Sequence, residues 1–413
     1  MCRSLDPEIH RSVGELATSG DGQSPVIVTG SSSRFVRVDV HKEGGLGRIS
    51  IVKDVDLQRV VAMKEVRPDR VEQPGAVDRL QREARITAKL QHPNIVPVHE
   101  MGRLPENGLP FYVMRFVGGD TLSVAIRRSF NSRYIAQIMS RGIDQARSGD
   151  RRRLLDAFLQ VCQAVAFAHS RGVIHADLKP ENVMLGEFGE VVVLDWGLAC
   201  NAKSKDVGDP ILPIGATSGR VGTPSYMSPE QAQGRPDLID ERTDVYQLGA
   251  MLFEILTNRP PHELETPARH SDHHTTSQED LESLYRRIAE GPTPSIRNIE
   301  STAPPSLDLI CTKAMSVAKD DRYPSVMLLY QAVRGWLDEA PLATYRAAVD
   351  YFAKLVDQSP QVRSYREGLA RNLTNLGLML AGMDRHDNAV KAFGAALADY
   401  EGIADQYPKV LSY

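Results

Sequence analysis

Cysteine is scarce: the 413-residue chain has four, Cys2, Cys162, Cys200 and Cys311, set far apart and at no spacing that a metal site uses. Such usage excludes a disulfide scaffold and reads as reduced, mostly structural thiols of a cytoplasmic protein. Long apolar runs are missing too. Nothing approaches the roughly 20 residues that a spanning helix needs. Met1 to Ser33 has no apolar core behind its basic residues, so neither a membrane span nor a signal peptide is expected. No charge is in surplus: 49 Lys and Arg against 53 Asp and Glu leave a formal net charge of −4. Nucleic acid and anionic membrane are therefore not expected partners. What remains is an ordinary globular composition, at a length that suits one large two-lobed domain with a small appendage.

Residues 1–33, rich in Ser, Gly and charge, read as a flexible leader. Apolar and β-branched runs follow at Phe35–Val40, Ile49–Val52 and Val60–Val66, separated as in hairpins. A helix is expected over Val77–Leu90, with Leu80, Ala84, Thr87 and Ala88 near one face. Strands at Ile95–Val98 and Phe111–Val117 would complete a β-rich first lobe, residues 34–117. After Gly118-Gly119 helical patterns take over, to about residue 338. Leu154–His169 is apolar nearly all round and should be a buried central helix. Val191–Leu194 reads as a short buried strand, and Thr243–Leu256 and Leu307–Val317 as further helices. Polar, basic Arg127–Arg153 and His-, Thr- and Ser-rich His262–Asp280 read as surface excursions. His262, His270, His273 and His274 have no carboxylate or Cys at a ligand spacing, so a solvated loop is expected there, not a metal site.

Chemistry enters with Lys42-Glu-Gly-Gly-Leu-Gly47, between two strand segments. Gly44, Gly45 and Gly47 would let a tight turn bring backbone N–H groups close to phosphate oxygens, where a Cβ would intrude. A hairpin can use the same residues for geometry alone. Val61-Ala-Met-Lys64 then puts a lysine inside an apolar strand, where an unpaired ammonium is costly. It needs anions, which Glu83 on the following helix and a nucleotide's phosphates can supply. Farther on, Val173-Ile-His-Ala-Asp-Leu-Lys-Pro-Glu-Asn182 offers Asp177, Lys179 and Asn182 in one loop. Phosphoryl transfer needs those three things: a carboxylate to orient the attacking hydroxyl, a cation near the transferred group, and oxygen ligands for Mg²⁺. Val191-Val-Val-Leu-Asp-Trp-Gly197 ends a buried strand in a further carboxylate, Asp195, and a glycine hinge.

Arriving in this order, the segments resemble a protein kinase, and Lys179 two residues after Asp177 resembles the serine/threonine class. The resemblance covers about Phe35 to Leu337 and is to bacterial, eukaryotic-like (Hanks-type) kinases. It implies an α+β bilobal fold, ATP and Mg²⁺ as cofactors with Mn²⁺ as a substitute, and protein substrates bearing Ser or Thr acceptors. By the same resemblance Asp177 is the base, Lys179 the charge stabiliser, and Asn182 and Asp195 the metal ligands. Lys64 and Glu83 form the strand–helix ion pair. Adenine would sit between Ile49 and Ala62 above and Met184 below, with Met114 at the back and the backbone of Arg115 to Val117 along its edge. Trp196 stands where the family's D-F-G has Phe, ahead of Gly197. Thr223 would lie near the substrate hydroxyl, Glu230 would pair with Arg322, and Asp244 would anchor the catalytic loop.

Two departures matter. Lys42 replaces the first loop glycine, and Ala176 replaces the arginine that in the family receives a phosphorylated activation-loop residue. The second implies activity independent of that phosphorylation. Together they leave open a pseudokinase or scaffold that binds nucleotide and partners without efficient transfer.

The tail repeats itself. Tyr345–Val349 matches Phe393–Leu397, and Asp357–Pro360 matches Asp405–Pro408, at a constant offset of 48 residues. Residues 341–413 resemble tetratricopeptide-type helical repeats, although the usual period is about 34. A protein partner for them is expected. Val410, Ser412 and Tyr413 repeat Val362, Ser364 and Tyr365, which reads as truncation or as an uncovered surface.

Overall fold

The structure, a computed structural model, describes residues 27–28, 34–43, 47–138, 143–201, 220–263, 278–301, 303–383 and 385–406. It divides into two compact units, Met1–Tyr330 and Gln331–Tyr413.

The first unit begins with six strands: β1 (Ile27–Val28), β2 (Phe35–Glu43), β3 (Gly47–Asp54), β4 (Arg59–Val66), β5 (Val98–Arg103) and β6 (Pro110–Arg115). They form an antiparallel sheet in the order β1-β2-β3-β4-β6-β5. Side chains alternate faces along a strand. Val61 and Met63 of β4 therefore join Phe35, Val52 and Phe111 on one side. Ala62 and Val66 join Leu80 and Ala84 on the other. Lys64 lies in phase with the second set. Helix α1 (Ala76–Lys89) covers that face, burying Leu80, Glu83, Ala84 and Thr87 as one stripe. The stripe carries a carboxylate to the strand's lysine.

The rest of the unit is mostly helical. It contains β7 (Gly119–Thr121), α2 (Leu122–Ile138), α3 (Ile143–Ser170), β8 (Val173–Ile174), β9 (Val183–Gly186), β10 (Val191–Val193) and β11 (Cys200–Asn201). Helices α4 (Pro229–Ala232), α5 (Glu241–Thr257), α6 (Gln278–Glu290) and α7 (Pro305–Ala314) follow. Helix α5 starts on an Asp240 capping box closed by Thr243, ends at Asn258 in the left-handed region, and is buried from Thr243 to Thr257. Cys162, Cys200 and Cys311 are free and buried. No helix among the described residues is long and apolar enough to cross a membrane.

Several expectations are corrected. Arg127–Arg153 is helical, not an irregular excursion, where it is described: α2 and α3 run through it. Arginine is a good helix former, so the segment is helical without an apolar stripe to announce it. Ile95 does not open a strand of the sheet; it bridges Val193 of β10, and β5 starts only at Val98, after Pro97, which has no N–H to donate. The strand expected to Val117 ends at Arg115, and the helix expected to Val317 ends at Ala314. His262 is buried, its Nε2 2.7 Å from the Tyr246 hydroxyl, so it is not part of a solvated loop. His270, His273 and His274 lie outside the described residues, as do Cys2, Gly44, Gly45 and, apart from strand β1, the leader.

The second unit is helical. Helix α8 (Val326–Gln358) enters it, followed by α9 (Arg363–Gly382) and α10 (His386–Gln406). Two glycines of α9 seat aromatic rings. A Cβ on Gly368 would come within 2.4 Å of the Phe352 ring, and one on Gly377 within 2.7 Å of the Phe393 ring. Gly377→Val should therefore destabilise the tail by ~1–3 kcal/mol through overpacking. Gly382→Ala, with open space around its Cβ, should be neutral or mildly stabilising. Hydrogen exchange of the α9 and α10 amides reads both outcomes.

Candidate active site

A cavity of about 400 Å³ opens in the first unit, within the size range of small-molecule sites. Gly47, Ile49, Ala62, Lys64 and Glu83 line one side of the cleft. Met114 and Arg115 close β6 and Val117 follows it, and Met184 and Asp195 line the cleft from the second lobe. Asp177, Lys179 and Asn182 reach it from one loop. Of the glycines, Gly47 alone is described. A Cβ there would sit 2.9 Å from Lys64 Cε, so glycine lets the strand pass close over the lysine.

The Lys64 ammonium donates to Glu83 Oε1 at 2.5 Å and to Asp195 Oδ1 at 3.2 Å. Burial works against the charged lysine, but the Asp195 and Glu83 carboxylates outweigh it and hold its pKa well above the ordinary value. The Lys64 ammonium, against partial desolvation, pulls Asp195 down to about 2. Burial raises Glu83 above the usual carboxylate value, although Lys64 opposes it. The Tyr112 hydroxyl donates to the same Glu83 oxygen at 2.7 Å. Tyr112 faces Lys64 across the β4–β6 register. Its place two residues before Met114 was the signal that could have flagged it.

Asp177, Lys179 and Asn182 are held as tightly. Asp177 Oδ1 accepts from the Thr223 N–H at 3.0 Å and its hydroxyl at 2.9 Å, and Oδ2 accepts from Lys179 Nζ at 2.9 Å. Lys179 Nζ also reaches Thr223 Oγ1 at 2.5 Å. The Asn182 amide nitrogen donates to the Asp177 carbonyl at 2.9 Å, which leaves its oxygen for a cation. Ala176 has φ of 62°, left-handed for a residue with a Cβ. Asp244 of α5 accepts from the His175 and Ala176 N–H groups, each at 2.9 Å, and lies 2.7 Å from His169 Nε2. Gln231 and Gln247 donate to the Ala176 carbonyl at 2.8 and 3.0 Å. Gln247, one helical turn after Asp244, was missed in the sequence. The Ala176 side chain packs with Ile174, Cys200 and Ile239, an apolar patch where the family's arginine would stand.

The donor set suits a triphosphate and its metal. Among the described residues, no group of three or more His, Cys, Asp or Glu could hold a metal alone. Asp195 and Asn182 instead offer two oxygens beside a buried cation, as sites do when phosphates and water complete the shell.

The family model for the protein kinase domain matches residues 42–331. This chain belongs to that family. It is 33% identical over 313 residues to the serine/threonine-protein kinase PknD of Protochlamydia amoebophila, spanning 72% of this chain and 29% of that protein. Over 294 residues it is 33% identical to PknB of Mycolicibacterium smegmatis, spanning 71% of this chain and 41% of that one. The chain thus spans less than half the length of these relatives. The crystal structure of the Mycobacterium tuberculosis PknI kinase domain matches with a TM-score of 0.51 at 20% identity, over 76% of this chain and 99% of the other. That likeness is one of fold.

Within the matched residues Glu230 and Arg322 do meet. Arg322 forks onto Glu230, Nη1 to Oε1 at 2.9 Å and Nη2 to Oε2 at 2.8 Å, with both residues buried. Trp196 is 1% exposed, packed on His175 with centroids 4.6 Å apart, and Gly197 follows at the cleft wall. A buried acid unannounced by any motif is Glu254, which accepts from the Tyr226 hydroxyl at 2.5 Å. Burial raises its pKa from 4.5 to about 7. The fold favours the neutral acid, so this stability is complete below about pH 4.5 and falls as pH rises through 7. Glu254→Gln, neutral throughout, should remove that fall, a difference of up to ~3 kcal/mol at pH 8. Urea melts of the two proteins between pH 5 and 8 check it; parallel pH profiles contradict it.

Proposed function

We propose that the chain is a serine/threonine protein kinase that transfers the γ-phosphoryl group of ATP to protein Ser or Thr hydroxyls. One arrangement carries the reading: Lys64 bridged to Glu83 and Asp195 in the same cavity that Asp177, Lys179 and Asn182 reach. Membership of the kinase family, and relatives named serine/threonine-protein kinases, support it.

ATP with Mg²⁺, or Mn²⁺, supplies the phosphorus whose bond to the ADP oxygen breaks as the acceptor oxygen bonds to it. Lys64, kept charged by two carboxylates, binds phosphate oxygens. Asp195 and the Asn182 oxygen hold the cation. Asp177 orients the acceptor hydroxyl and takes its proton. Lys179 offsets charge that develops on the transferred group. Thr223 ties Asp177 to Lys179 and keeps both aimed at the acceptor. Ile49, Ala62, Met114 and Met184 enclose the base, and the backbone from Arg115 to Val117 pairs with its edge. Residues 34–338 form the kinase domain in this reading, residues 341–413 a repeat module for protein contact, and the cytoplasm is the site of action.

Asp195→Ala should lower magnesium-dependent phosphorylation of a generic protein substrate by ~10³-fold, the size of a lost metal contribution. Asp177→Asn should cost ~10²–10⁴-fold. Nucleotide binding without turnover in the unaltered protein would move the reading to a pseudokinase.

The apolar packing around Ala176 adds a second expectation. Phosphatase-treated protein should keep most of its activity, measured as initial rates. Trace activity that returns on phosphorylation within residues 203–225 would overturn this.

A further inference from the structure

Arg220 stands three residues before Thr223 and is held on three sides. Its Nε donates to the Ala232 carbonyl at 2.7 Å, at the end of α4, where a helix leaves carbonyls unpaired. Its Nη1 donates to Glu282 Oε1 of α6 at 2.6 Å. Its guanidinium lies over the Tyr285 ring of the same helix, 4.6 Å from the centroid. The two supports are themselves joined, because Leu284, Ile288 and Ala289 of α6 pack with Met227 and Ala232 in one buried cluster. An ion pair near the surface adds little alone. Here a carboxylate, a carbonyl and a ring fix one orientation of a planar cation. Onward from Arg220 the backbone has little slack. The Val221 carbonyl accepts from Gln231 Nε2 at 3.2 Å, and the same nitrogen donates to the Ala176 carbonyl at 2.8 Å. Gly222, at φ of 122°, takes a conformation that favours glycine, and a Cβ on it would lie 3.6 Å from the Ala176 carbonyl oxygen. Thr223 then gives its N–H and its hydroxyl to Asp177.

We propose that Arg220 is a positioning residue for phosphoryl transfer: anchored to α4 and α6, it fixes residues 220–223 and so holds Thr223 on Asp177 without a phosphoryl group. The inference rests on the kinase reading and supplies the tie that independence from phosphorylation requires. A phosphate receptor is a cation that waits for an anion to be added. At residue 176 the surroundings are apolar, and no cation stands there. The cation sits instead at Arg220, and α6 supplies its anion permanently as Glu282. Arg220 does not line the cavity, so it acts through Thr223 and touches neither nucleotide nor reacting atoms. Its loss should therefore appear in turnover and leave ATP binding alone.

The test compares the phosphatase-treated chain with its Arg220→Met variant, which keeps an apolar stem and loses the charge and both donors. On a generic protein substrate kcat should fall ~10-fold, as when a group near the acceptor is displaced, with KM for ATP unchanged. The Thr223 amide should exchange hydrogen at least ~10-fold faster, a readout that needs no turnover. Glu282→Ala alone should lower kcat ~3-fold, and it should add nothing in the Arg220→Met background, since both act through one tie. Unaltered kcat in Arg220→Met, or unaltered Thr223 exchange, would overturn the proposal. So would losses in the two variants that add in full. A fall in kcat matched by weaker ATP binding and a lower melting temperature would also overturn it, because that marks a general loss of fold. The kinase reading fails separately, if the unaltered chain binds nucleotide without turnover.

Discussion

An ammonium at the wall of an apolar cavity obliges the chain to bring carboxylates to it from elsewhere. Lys64 recruits Glu83 from α1 and Asp195 from the turn after β10, 131 residues away. Burying an unpaired ion costs several kcal/mol, and a lysine left alone there would give up its proton instead. The requirement therefore joins three segments, on top of the apolar contacts of Leu80 and Ala84 that already pack α1 against the sheet. It turns one acidic side chain of the second lobe toward the first. A half-exposed carboxylate held beside a cation, and so ionised, is also what a divalent metal needs as a ligand.

Local strain gathers around the same cavity. Ala176 and Asp195 both lie at positive φ, 62° and 59°, a conformation costing on the order of 1–3 kcal/mol for residues with a Cβ. The Trp196 indole N–H is buried with no acceptor among the described residues. Such features persist where surrounding contacts over-determine them. Around Ala176 those contacts are explicit: one carboxylate below the loop and two amides against its carbonyl.

Much of this site was legible in the sequence, for a physical reason. A charged residue in an apolar strand, or carboxylates and an amide crowded into one loop, contradict simple burial and so stand out. The alternation of β4 put Lys64 on the α1 side, and the helical period of α1 put Glu83 opposite it. What stayed hidden has the opposite character. The helices through Arg127–Arg153 have no apolar stripe to betray their period. His262 looked solvated because its partner, Tyr246, lies on another element. Tyr112 and Gln247 look like ordinary strand and helix residues until the fold aims them. Across Ile95–Val98 the apolar character was read correctly, but not that it faces β10.

Asp244 separates two properties that sit side by side in the chain. The course of the backbone through His175 and Ala176 is set by helix α5, which supplies the acceptor for both of their N–H groups. Residue 176 takes part through its peptide atoms alone, so its side chain is spare as far as the path to Asp177 is concerned. The position of the Asp177 carboxylate is thus set through the backbone of its neighbours, and a larger side chain at residue 176 would press on Ile174, Cys200 and Ile239, not on the acceptors that hold that backbone.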